Sequence, residues 1–183
     1  MHRTHRWAER CKAAHRDERQ MLFGIVQGGM YAKLRKQSAR YINDMGLPGN
    51  AIGGLSVGEP KHMMYDMLEV CVPELDKDRP RYLMGVGSED CLLNAVMRGV
   101  DMLDCVMQTR MGRTAAAMVP GGRINLRNAT FADDFSPIIE GCCCYACSNG
   151  FTKAYIRHLF VAKEIMAARL VSLHNIYFSL HLM

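Results

Sequence analysis

"LFGIVQG" (residues 22–28) is a short apolar run closed by a polar residue and a glycine, and the same design returns three times along the chain. "NAIGGLSVGEP" (50–60), "PRYLMGVG" (80–87) and "GVDMLDCV" (99–106) each follow a stretch with helical spacing of apolar residues. The first such helix is expected over about 30–45, with Leu34, Ala39, Ile42 and Met45 on its buried side. The second runs to about Val72 and the third over about 89–98. Continuous apolar runs separated by helices read as parallel strands buried on both faces. Gln27, Glu59, Ser88 and Asp104 fall at or just after the strand ends, the edge where parallel α/β folds place their chemistry. Four βα units make half of a (β/α)8 barrel, and they also fit part of an open sheet.

Beyond residue 106 the rhythm changes. A Gly- and Arg-rich loop, a hairpin-like piece ("AAAMVPGGRINLRN", 115–128, turning at Pro120-Gly121-Gly122) and a cysteine cluster lead into a helix expected over about 151–170. The division is therefore drawn as 1–113 for the βα units and 114–183 for the hairpin, cysteine cluster and returning helices. Length and composition agree with folded α/β structure: 183 residues, 49% hydrophobic and 22% charged. The net charge of +5 permits a polyanionic partner without demanding one. No apolar run approaches the roughly 20 residues that span a bilayer, so no membrane role is expected. The start, "MHRTHRWAERCKAAHRDERQ", has no apolar core and reads as a basic helix rather than a secretory signal. Glu9, Asp17 and Glu18 argue against a transit peptide, and a cytoplasmic location is the expectation.

Reducing surroundings disfavour disulfides, so "CCCYAC" (142–147) needs another reason for four of the chain's eight cysteines. Cys11, Cys71, Cys91 and Cys105 lie scattered in apolar segments and read as small buried hydrophobes. Cys144-x-x-Cys147 has zinc-knuckle spacing, and Cys142 projects to the same side as Cys144 if the segment is extended. Cys143 then points away. A closed site needs a fourth ligand; of His158, His174 and His181, we choose His174, just beyond the "EIMAARL" helix, where a returning helix end could meet the knuckle. Four protein ligands make a structural zinc, one per chain; buried free thiols are the alternative.

Asp101 and Asp104, three apart in "VDMLDCVMQTRMGR" (100–113), face opposite sides of a strand. Asp104 lies nearer the C-terminal end, before Arg110 and Arg113. That arrangement suits a carboxylate nucleophile acting on a phosphate-bearing substrate. It also suits an aspartate that caps a loop and pairs with an arginine, and the local residues alone leave both readings open.

Taken together, "RTHRWAERCKAAH", "FGIVQGG", "GNAIGGLSVGEP", "PRYLMGVG", "GVDMLDCVMQTRMGR", "INLRNA", "CCCYAC" and "HN" closely resemble the C-terminal half of the tRNA-guanine transglycosylases, the queuine or pre-queuosine tRNA-ribosyltransferases. The resemblance implies a (β/α)8 TIM barrel with a zinc subdomain held by three cysteines and one histidine. It implies exchange of guanine at the wobble position of tRNA with a G-U-N anticodon for a 7-deazaguanine base. Asp104 matches the aspartate that attacks ribose C1′ to give a covalent tRNA–enzyme intermediate. Gln27 and Gly54 match residues that read the base edge. Leu55 and Glu59 match the region recognising the base's aminomethyl group, and Met84 matches a pocket-lining residue. Arg110 and Arg113 match the loop that holds the anticodon. The family forms homodimers or pairs with an accessory subunit, and a non-catalytic, zinc-bearing tRNA-binding subunit of this kind is the alternative reading. Two departures stand out. Gln108 replaces the family's Pro, which is expected to loosen the loop after Asp104. The first four βα units, with the family's other active-site aspartates, lie outside this sequence, so the isolated chain is expected to be an inactive fragment.

Overall fold

The computed structural model describes residues 1–183, which fold as two compact units, Met1–Cys105 and Val106–Met183. The helix Met107–Arg113 packs along the last helix of the second unit.

The first unit runs α1 (His2–Ala14), β1 (Phe23–Val26), α2 (Ala32–Asp44), β2 (Gly49–Ile52), α3 (Lys61–Cys71), β3 (Arg81–Leu83), α4 (Glu89–Met97) and β4 (Met102–Leu103). The strands form one parallel sheet in the order β1-β2-β3-β4. Burial in α2 falls on Arg35, Ser38, Ala39 and Ile42, and in α3 on Met64, Met67, Leu68 and Cys71, each a single stripe of helical spacing. Val26, Ile52 and Leu83 meet these stripes in one core. Glu89 and Asp90 open α4, where carboxylates suit the helix's positive end. Gly49 is required, because a Cβ there would lie 2.4 Å from the Phe23 ring across the pair.

Four local expectations are corrected. Leu34 is 39% exposed and Arg35 is fully buried in its place, for a polar reason given below. The sheet is not buried on both faces: Phe23, Ile25, Ala51, Tyr82, Met84 and Met102 line an open apolar groove opposite the helices. Cys71 and Cys91 are buried, but Cys11 is exposed on α1 and Cys105 is only partly covered. The single helix expected over 151–170 is two, and His174 belongs to the interior of the second, as described next.

The second unit runs α5 (Met107–Arg113), β5 (Ala116–Val119), β6 (Gly122–Asn125), α6 (Tyr145–Ser148), α7 (Lys153–Val161) and α8 (Ile165–Leu182). β5 and β6 pair antiparallel around Pro120-Gly121, with Gly121 at φ 78° as a Pro-Gly turn requires. Thr152 caps α7 by accepting from the Tyr155 N–H at 3.1 Å. Lys163 at φ 61° separates α7 from α8. α8 packs closely on α5: a Cβ at Gly112 would lie 2.7 Å from the Ser172 nitrogen. Asn175, fully buried, donates to Gln108 O and Ala116 O at 3.0 Å each and accepts from Met118 N–H at 2.8 Å. Gln108 does not slacken the chain, since its buried amide also donates to Ser179 Oγ at 3.0 Å.

Candidate active-site cleft and metal centre

The C-terminal ends of the strands meet in a cleft of about 450 Å³, lined by Ile25, Gln27, Gly53–Val57, Met84, Gly85 and Asp104. That volume lies within the range of small-molecule sites. Gln27, Gly54, Leu55, Met84 and Asp104, singled out from sequence, are thus brought together. Asp104 follows β4 directly, and its Oδ1 accepts from the Tyr82 hydroxyl at 2.6 Å and the Gly85 N–H at 2.8 Å. The Tyr82 hydroxyl, then the Gly85 N–H, hold its carboxyl below the usual carboxylate range. Asp104 is therefore ionised near neutrality and fixed in direction. Asp101 is different: it sits before β4 and binds Arg81 at 2.9 Å. Tyr82 was missed in the sequence, although it lies two residues from Met84 and so shares its face of β3.

Gly53 and Gly54 allow the close approach of Gln27. A Cβ at Gly53 would lie 2.7 Å from Gln27 Nε2, and one at Gly54 would lie 2.6 Å from Gln27 Oε1. The Gln27 amide therefore lies against this backbone with a donor and an acceptor at the cleft wall. Glu59 does not line the cleft; its carboxylate accepts from the N–H groups of Ser56 and Val57, the latter at 2.9 Å, and shapes the turn. Burial pushes Glu59 upward, but these main-chain donors outweigh it and its carboxyl sits below the usual range. Ser88 lies outside this lining and donates to Asp90 at 2.9 Å. In the second unit, Arg110 and Arg113 project exposed from the last turn of α5, where cations also suit the helix's carbonyl end.

The second unit also holds a candidate metal centre. The ligand atoms of Cys142, Cys144, Cys147 and His174 lie within 4.8 Å of one another. His174 Nδ1 is 3.9, 3.3 and 3.7 Å from the three sulfurs in that order. Tetrahedral zinc with ordinary bond lengths requires about 3.6 Å between sulfur and nitrogen. His174 Nε2 lies 2.8 Å from Met118 O. A carbonyl only accepts, so Nε2 carries the proton and Nδ1 offers its lone pair inward. The Cys147 N–H also donates to Cys144 Sγ at 3.4 Å, holding the turn of the knuckle. Cys143 is exposed and outside the set. These four residues can hold a metal ion, and with every position filled by protein the site is of the structural kind. His174 reaches it from mid-helix rather than from a helix end.

A parallel βα sheet with an oriented carboxylate in a cleft at its C-terminal edge, together with a Cys3His cluster that can hold a metal ion, defines an α/β protein with a candidate site in each unit. The family model described as Queuine tRNA-ribosyltransferase matches residues 1–183. Proteins named queuine tRNA-ribosyltransferase from Symbiobacterium thermophilum, Pelotomaculum thermopropionicum and Bacillus subtilis are 59%, 56% and 56% identical to it over 99% of this chain. The chain belongs to the queuine tRNA-ribosyltransferase family. It spans 45%, 49% and 48% of those relatives' lengths, respectively, about half of each. No helix is long and apolar enough to cross a membrane.

Proposed function

We propose that the chain carries the base pocket and the nucleophile of a tRNA-guanine transglycosylase. The observation that supports this most is Asp104, oriented by Tyr82 and Gly85 in the same cleft as Gln27, Gly54 and Met84. Asp104 attacks ribose C1′ of the wobble nucleotide in a G-U-N anticodon, guanine departs, and an incoming 7-deazaguanine base takes the ribose from the aspartyl ester. A carboxylate is a weak base but a competent nucleophile at an oxocarbenium-like carbon. Gln27 and the Gly54 backbone read the base edge, Leu55 and Glu59 set the region facing its side chain, and Met84 covers its plane. Arg110 and Arg113 hold the anticodon. The metal is zinc, held by Cys142, Cys144, Cys147 and His174; when bound it cross-links the second unit.

On this reading the four sequentially ordered strands are half of a (β/α)8 barrel, residues 1–113 contribute barrel and 114–183 the zinc subdomain. Sequential order with helices against one sheet face is the winding of a barrel rather than of a doubly wound sheet. The open groove of Phe23, Ile25 and Tyr82 then becomes barrel interior. The protein works in the cytoplasm as a homodimer or with a family partner subunit. The test uses this chain completed to family length with the first half of the Bacillus subtilis relative. Exchange of labelled guanine into tRNA and an RNA adduct stable to denaturation are expected, with both lost in Asp104→Asn. An adduct that persists in Asp104→Asn removes Asp104 from the nucleophile's role.

A further inference from the structure

Arg35 is fully buried, yet its guanidinium is spent on main-chain carbonyls. Nε donates to Gly29 O at 2.8 Å, Nη1 to Gly53 O at 2.7 Å and Nη2 to Gly54 O at 2.9 Å. Burial pushes its pKa down, but an arginine at this level remains charged in proteins. A cation therefore sits directly behind the loop that follows β2. In a trans peptide the C=O and N–H point in opposite directions. Drawing the carbonyls of Gly53 and Gly54 onto Arg35 turns the N–H groups of Gly54 and Leu55 the other way, toward the cleft these residues line. Neither N–H donates to a main-chain acceptor, whereas the N–H groups of Ser56 and Val57 are taken by Glu59. Gly54 at φ 65° curls adjacent amides together, as in main-chain nests that receive anionic oxygen.

We propose that Arg35 is a positioning residue that aims and polarises the Gly54 and Leu55 N–H groups to take the carbonyl oxygen of a departing 6-oxopurine. This rests on the reading of the cleft as a base pocket. As an Asp104 oxygen bonds to ribose C1′, the C1′–N9 bond breaks and its electron pair leaves with the base. The purine ring spreads that charge onto O6, and a proton from water then neutralises N9. Donors already fixed at O6 stabilise the anion more than the neutral base, which is the condition for raising rate rather than binding alone.

The test follows amide signals of the full 183-residue chain, labelled with nitrogen-15 and completed to family length as above, during titration with guanine and with 2-aminopurine, the same ring without the oxygen. Guanine is expected to move the Gly54 and Leu55 amides downfield and 2-aminopurine is not. Arg35→Met should weaken guanine on the order of tenfold, leave 2-aminopurine as in the original chain, and be partly rescued by Arg35→Lys. A merely structural arginine would weaken both purines alike, and that result, or an unchanged preference for guanine, overturns the inference. If Arg35→Met does not fold, unmoved Gly54 and Leu55 amides in the unaltered chain overturn it instead. If the unaltered completed protein binds neither purine, the base-pocket reading fails and takes this inference with it; binding of guanine without an Arg35 effect removes the inference alone.

Discussion

Asp104 receives two hydrogen bonds on one oxygen, from groups that come from the neighbouring strand and the turn after it. Its pKa is therefore set across the sheet. Replacing Tyr82 by Phe removes the stronger of these two donors, so the carboxyl rises toward its ordinary value. The sign follows: a depressed acid is ionised down to lower pH, and losing the donor moves the acidic limb of exchange to higher pH. The upward movement of the limb is expected in the completed protein, with little change near neutrality. A pH–rate profile checks it, and an unmoved limb means that Tyr82 does not tune Asp104. In the sequence Asp104 was legible as a carboxylate at a strand end, open locally to two readings, and only the family resemblance singled out its role. Arg35 did not stand out, since an arginine beside Leu34 on an amphipathic helix reads as solvated. Its acceptors are carbonyls from two other loops, which local spacing does not reveal.

At the scale of elements, α8 does two jobs with adjacent residues. His174 faces the cysteines and Asn175 stitches β5 and the α5 backbone, so one turn of helix positions both the metal and the hairpin. Asn175→Leu leaves a main-chain N–H and two carbonyls without partners, and a loss of roughly 2–4 kcal/mol is expected in denaturant melts of the second unit. Metal analysis is expected to find one equivalent of zinc in the unaltered chain, lost in each single Ala variant of Cys142, Cys144, Cys147 and His174 and kept in Cys143→Ala. The reverse result for Cys142 and Cys143 would show that the wrong cysteine was chosen. Arg110→Ala and Arg113→Ala, exposed on α5, should each weaken tRNA binding and make its logarithmic salt dependence shallower by about one ion. An unaltered salt slope would remove them from the phosphate-contacting set. The spacing of "CCCYAC" made three ligands legible, because a knuckle is local. The break at Lys163 was not: no proline marks it, and the left-handed turn there follows from how α7 and α8 pack into one core.

For the whole molecule, β1 and β4 are sheet edges and the groove of Phe23, Ile25 and Tyr82 is open, so the sheet is not closed. The 183-residue chain by itself is therefore expected to show no exchange of labelled guanine into tRNA and to self-associate through its unpaired edges. Robust exchange by purified chain, free of host enzyme, would contradict this. Each unit has its own core, so a chelator should increase hydrogen exchange in Val106–Met183 and leave Met1–Cys105 protected; loss of protection in both would mean that they fold as one. The sequence alone determined the βα rhythm, the parallel strands, the carboxylate at the strand end, the metal knuckle and the family, since each is written in short-range spacing or contiguous motifs. Only the tertiary structure decided that one sheet face stays open, that Tyr82 and Gly85 orient Asp104, that Arg35 is buried against carbonyls and that His174 meets the sulfurs from mid-helix. Those arrangements depend on groups tens of residues apart satisfying one another's charge and hydrogen bonds, and such pairings exist only once the chain has folded.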